Sequence, residues 1–113
     1  VIARALRAVT VGVVAGAALA VVPAWAEPDG AAVFQKRCAP CHGASGRTDT
    51  PAARALKVRP LADDPVLARM TPSELVHAIT SNPKHRGVSA LADAAPADIE
   101  AAARFVHELA AGH

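Results

Sequence analysis

Tyrosine is absent from these 113 residues, tryptophan occurs once and phenylalanine twice. So thin an aromatic set leaves no stacking platform between the arginines at 37, 47, 54, 59, 69, 86 and 104, and this argues against a nucleic-acid interface. Val, Ile and Thr never fall into alternation over a useful length, so no strand is predicted. Cysteine is limited to Cys38 and Cys41, too close together for a disulfide framework to carry a small fold. Methionine occurs once, at Met70.

An excess of basic charge is also missing once the chain is divided. Residues 1–26, VIARALRAVTVGVVAGAALAVVPAWA, place Arg4 and Arg7 before an apolar run and close on Ala24-Trp25-Ala26. This is the pattern of a secretory signal with a small-x-small cleavage site, and it predicts a domain over 27–113 in a periplasmic setting. The competing reading is a retained membrane anchor, which Pro23 and the cleavage motif disfavour. Of 12 basic and 10 acidic residues, Arg4 and Arg7 belong to the leader, so ten of each remain.

Helix signals run through the rest. Asp29 is placed to cap a helix over 29–38, with Pro40 ending it. Thr71-Pro72 with Glu74 forms a capping box for a helix over 71–81, and Met70 and Leu75 form a hydrophobic staple. Leu75, Ala78 and Ile79 share its inner face, His77 lies opposite, and Asn82-Pro83 stops it. A last helix over 96–110 carries the stripe Ile99, Ala102, Phe105, Val106 and Leu109, with His107 facing away. Residues 43–69 read as loop, with one helical turn near 52–56, a length that suggests wrapping around a ligand.

The chemistry lies in Cys38-Ala39-Pro40-Cys41-His42, the C-x-x-C-H spacing for covalent haem attachment. Two thiols about one helical turn apart can reach two vinyl groups of one porphyrin, and His42 follows directly to approach the iron. A thioredoxin-like redox pair lacks its strand-helix context. A structural zinc site needs about four ligands, and two thiols with His42 and a remote histidine would be an unusual set; an ordinary disulfide is equally disfavoured beside haem.

On these residues the chain resembles small periplasmic class I, mono-haem cytochromes c, from about Gly30 to Leu109. Gly30-Ala-Ala-Val-Phe34 resembles the family's first helix and Phe105 its partner position in the last. The resemblance implies an all-α fold of three to four short helices around one covalently attached haem c. It also implies a proline carbonyl that orients the proximal histidine, here Pro60 in Lys57-Val-Arg-Pro-Leu61. The family's distal methionine would fall near Arg86, where there is none. His85 is the expected distal ligand in its place, with Met70 as an alternative and His77 a weaker one.

The function this implies is one-electron transfer between redox protein partners, as a monomer or in transient complexes, with no enzymatic activity and no nucleic acid. Cations at 36, 37, 57, 84 and 86 are candidates for a docking rim. Membrane association is expected only if residues 1–26 are retained. The alternatives are a haem c electron-transfer subunit of a larger oxidoreductase complex and a gas-binding or sensory haem protein.

Overall fold

The last helix organises the molecule. In the computed structural model, which describes residues 8–13, 16 and 27–113, this helix runs Pro96–Ala110. Pro96 starts it where no N–H is needed, Asp98 lies in its first turn, and Ile99, Ala102, Ala103, Val106 and Ala110 are buried along one face. Three consecutive alanines, 101–103, keep its surface low, so neighbouring backbones can come close.

The closest approach is made by the first helix, α1 (Gly30–Arg37), capped by Asp29, whose carboxylate accepts from Ala31 N–H at 3.0 Å. A Cβ on Gly30 would sit 2.3 Å from the Ala101 carbonyl oxygen, so the crossing excludes any other residue there. One turn on, Phe34 is fully buried and its ring lies 5.1 Å from that of Phe105 at 53°, a tilted aromatic pair. Burial of one such ring stabilises by about 1.5–3 kcal/mol, and the pair geometry adds roughly 0.5–1.5 kcal/mol.

Six further α-helices follow α1 in the chain: α2 (Ala39–His42), α3 (Pro51–Leu56), α4 (Pro65–Arg69), α5 (Pro72–Ser81), α6 (Ser89–Ala92) and α7, the organising helix. A 3-10 turn over Pro83–His85 lies between α5 and α6. Among the described residues there are thus seven α-helices and no strand, in place of the three to four helices expected. The additions are short. Pro40 does not end the helical path but sits in the first turn of α2, after the backbone bends at Cys38. Within 43–69, α4 begins at Asp64, whose carboxylate accepts from Val66 N–H at 2.8 Å and Leu67 N–H at 3.2 Å, with Pro65 next.

The α5 start is as expected. Thr71 Oγ1 accepts from Glu74 N–H at 3.1 Å and Glu74 accepts from Thr71 N–H at 3.3 Å, completing the box. Leu75 joins Phe34, Ala103 and Val106 in the core, and Met70 packs against that cluster. His107 differs from its expected outward position: it is half-buried and Nε2 donates to the Ala68 carbonyl at 2.9 Å, fastening α7 to the end of α4.

The long loop is closed by the Gly46 carbonyl, which accepts from both Leu61 N–H at 2.8 Å and Ala62 N–H at 3.1 Å. No helix among the described residues is long and apolar enough to cross a membrane. Most of the leader, including its cleavage motif, lies outside the described residues.

A candidate haem c site

The attachment motif is built as one helical turn. His42 N–H donates to the Cys38 carbonyl at 2.9 Å and Cys41 N–H to the same oxygen at 3.1 Å, so both thiols and the imidazole project from a single compact coil. Thr50 fastens this coil to α3: its hydroxyl donates to the Cys41 carbonyl and accepts from Ala53 N–H. Cys38, Cys41 and His42 all line a cavity of about 390 Å³, within the range of small-molecule and cofactor sites.

The depth of that cavity is apolar, with Phe34, Leu75, Ile99 and Val106 from the core. Its exposed rim carries Lys57, Arg59, Pro60 and Lys84. Two free thiols and an imidazole at one place in an apolar cleft match the needs of a flat hydrophobic ring tethered through sulfur and bearing a metal. The donor set therefore fits haem c. Among the described residues, no three His, Cys, Asp or Glu side chains converge as a protein-only metal centre would require.

His85 lines the same cavity, 43 residues after His42, and the two rings have centroids 6.3 Å apart at 77°. Its Nδ1 donates to the Ile79 carbonyl at 2.7 Å, which leaves Nε2 as the nitrogen with a free lone pair. The local sequence dictates that bond. Ile79 is four residues before Pro83, which has no N–H to offer, and the imidazole supplies the missing donor.

Met70 and His77 do not line the cavity. Met70 packs on the hydrophobic core beside Leu75, and His77 is exposed on α5. Pro60 is at the rim, but the bond expected from it is not made: His42 Nδ1 is buried and has no hydrogen-bond partner. The half-buried Arg37 is also a wall residue that the sequence did not single out as such, because its role depends on α6 arriving from 53 residues away.

Burial pushes the Cys38 thiol up to about 11, with Cys41 adding and Arg37 opposing. It is therefore a protonated thiol near neutral pH. Burial, and then the neighbouring His85, hold His42 below the ordinary imidazole range, so it is neutral and able to donate its lone pair.

A second cavity of about 470 Å³ shares His85, Ile79, Val88, Leu91 and Ile99 with the first.

In comparisons with known proteins, the KustC0563 c-type cytochrome superposes with a TM-score of 0.59 at 21% identity, over 73% of this chain and 98% of that one. This likeness is one of fold. No curated protein sequence matches the chain. The sequence profile described as cytochrome c oxidase, cbb3-type, subunit III matches residues 26–106, which spans the attachment motif, both cavities and all but the last turn of α7. The chain belongs to that family of c-type cytochromes.

Proposed function

We propose that the chain is a single-haem electron-transfer domain, acting in the periplasm as a component of a larger oxidoreductase complex, with His42 and His85 as the residues that would ligate the haem iron. The observation that carries the ligation is the pair of rings 6.3 Å apart in the cavity that also holds both thiols. Imidazole nitrogens bind a metal at about 2.0–2.1 Å, so two rings on opposite sides of one ion have centres roughly 6 Å apart. The bond from His85 Nδ1 to Ile79 supports the same reading, because a ligating histidine commonly donates its other N–H to a carbonyl.

Haem c, when bound, supplies a one-electron couple. The chain's part is to hold and shield it. Cys38 and Cys41 would hold it as thioethers, since addition of an S–H across a vinyl double bond needs no leaving group. Phe34, Leu75 and Ile99 exclude water from the inner side, while the exposed rim leaves an edge for exchange with a partner. Pro60 lines the same cavity as His42, and its carbonyl is the proposed acceptor for the unpartnered Nδ1.

The family's description favours the setting in a complex over the free carrier expected from the sequence. That setting is tested by affinity purification from native membranes. Recovery with oxidoreductase subunits supports it, and recovery as a lone polypeptide overturns it.

Ligation is tested by ferric absorption and electron paramagnetic resonance spectra of the haem-loaded protein and of His85→Ala. The expected result is a low-spin bis-imidazole signature that is lost in the variant. An unchanged spectrum, or a methionine-to-iron charge-transfer band, sinks the assignment.

A further inference from the structure

Arg37 belongs neither to the attachment motif nor to the axial pair, yet its side chain is only 14% exposed. Nη1 donates to the Ala90 carbonyl of α6 and lies 2.8 Å from Asp93 Oδ1; Nη2 lies 3.8 Å from Asp98 Oδ2 in α7. We propose that Arg37 is a positioning residue that latches residues 86–95, and with them the His85 side chain, over the cavity. This rests on His85 being the distal ligand.

The segment has little else to hold it. α6 has no side-chain cap and no buried residue. Its backbone bonds are local, such as Val88 N–H to His85 at 3.2 Å and Ala94 N–H to Leu91 at 3.2 Å. Among the described residues, the hydrogen bonds that tie 86–95 to a distant element both come from Arg37. Gly87, at φ +78° with nothing within 4 Å of where a Cβ would stand, gives the segment a point of rotation just after His85.

The other end of the latch is fixed. Arg37 directly precedes Cys38, so its backbone is held by α1 and by attachment at the next residue. A nearly buried guanidinium is costly to leave unpaired, which makes release of the segment unfavourable. The second cavity, which His85 also lines, offers the ring space on release. Arg37, together with the His85–Ile79 bond, thus sets how often the position His85 would take over a bound haem opens.

The test uses haem-loaded protein with Arg37→Gln, Arg37→Lys, Asp93→Ala and His85→Ala, read by amide hydrogen exchange and by the rate of carbon monoxide association with the ferrous form. Loss of hydrogen bonds to a charged donor predicts that Arg37→Gln raises exchange at 86–95 and the association rate by about tenfold or more. Exchange in α1, α5 and α7 should stay as in the parent, and Arg37→Lys should fall between. Unchanged exchange across 86–95 in Arg37→Gln overturns the latch.

If Arg37→Gln does not fold, Asp93→Ala carries the test, since Asp93 is 79% exposed and its loss opens no cavity. A smaller rise confined to 86–95 supports the latch, and no change there overturns it. The ligation reading fails separately, if His85→Ala binds carbon monoxide no faster than the parent. The latch is then decided by exchange alone.

Discussion

Asp93 is held below the usual carboxylate range by the hydrogen bond and charge of Arg37. A carboxyl lowered on folding stabilises above its unfolded value, and that contribution disappears as pH falls through the folded value. The thermal midpoint of wild type should therefore exceed that of Asp93→Asn at neutral pH, and the gap should close below about pH 3.8, the ordinary value. A gap independent of pH would mean that the ion pair is idle. At His85 the expected outcome is electrochemical. Imidazole stabilises ferric iron more than a thioether does, so His85→Met should raise the reduction potential measured by spectroelectrochemical titration. Much of the site is legible in the sequence at this scale. The C-x-x-C-H spacing is local, and the place of His85 on the same cavity is anticipated by a missing methionine together with the Asn82-Pro83 stop. The Ile79 bond and the grip of Arg37 are not legible, because each depends on where a remote backbone oxygen comes to rest.

At the scale of elements, two starts with the same chemistry differ in how plainly the sequence shows them. Thr71-Pro72 and Asp64-Pro65 both pair a capping oxygen with proline at the first helical position, and both begin helices. Only the first is followed by enough residues to show a period; α4 has five and α6 has four, too few for a face to repeat. The α1–α7 crossing is the sharper case. Its fit hinges on Gly30, where a Cβ would meet Ala101 backbone that cannot rotate away. Gly30→Ala should force the helices apart and destabilise by about 1–3 kcal/mol, read from chemical denaturation of the haem-loaded protein. An equal or higher midpoint would show that the helices slide without cost.

For the whole molecule, charge around the cavity is uneven. Lys57 and Arg59 come from the end of the long loop, Lys84 and Arg86 from the turn that bears His85, and none forms an ion pair among the described residues. Arg37, counted with the docking rim on sequence grounds, is instead engaged by Asp93 and Asp98. A rim of free cations predicts that electron exchange with an acidic partner slows as salt rises, and that Lys57→Glu with Lys84→Glu flattens the dependence in stopped-flow traces. Equal salt slopes would remove the rim from docking. The proposed cleavage of residues 1–26 is checked by sequencing the mature protein, whose first residue should be close to Glu27. The partner of Phe34 is Phe105, near the other end of the domain. A chain still being synthesised thus has only Leu75 of α5 to set against Phe34, and lacks Phe105, Ala103 and Val106, until α7 follows. Cys38 and Cys41 stay on open polypeptide throughout that interval, within reach of the haem-attachment machinery. A chain ending at Ala95 should then keep both thiols as reactive to alkylation as an unfolded peptide, so the order of synthesis itself sets attachment before closure.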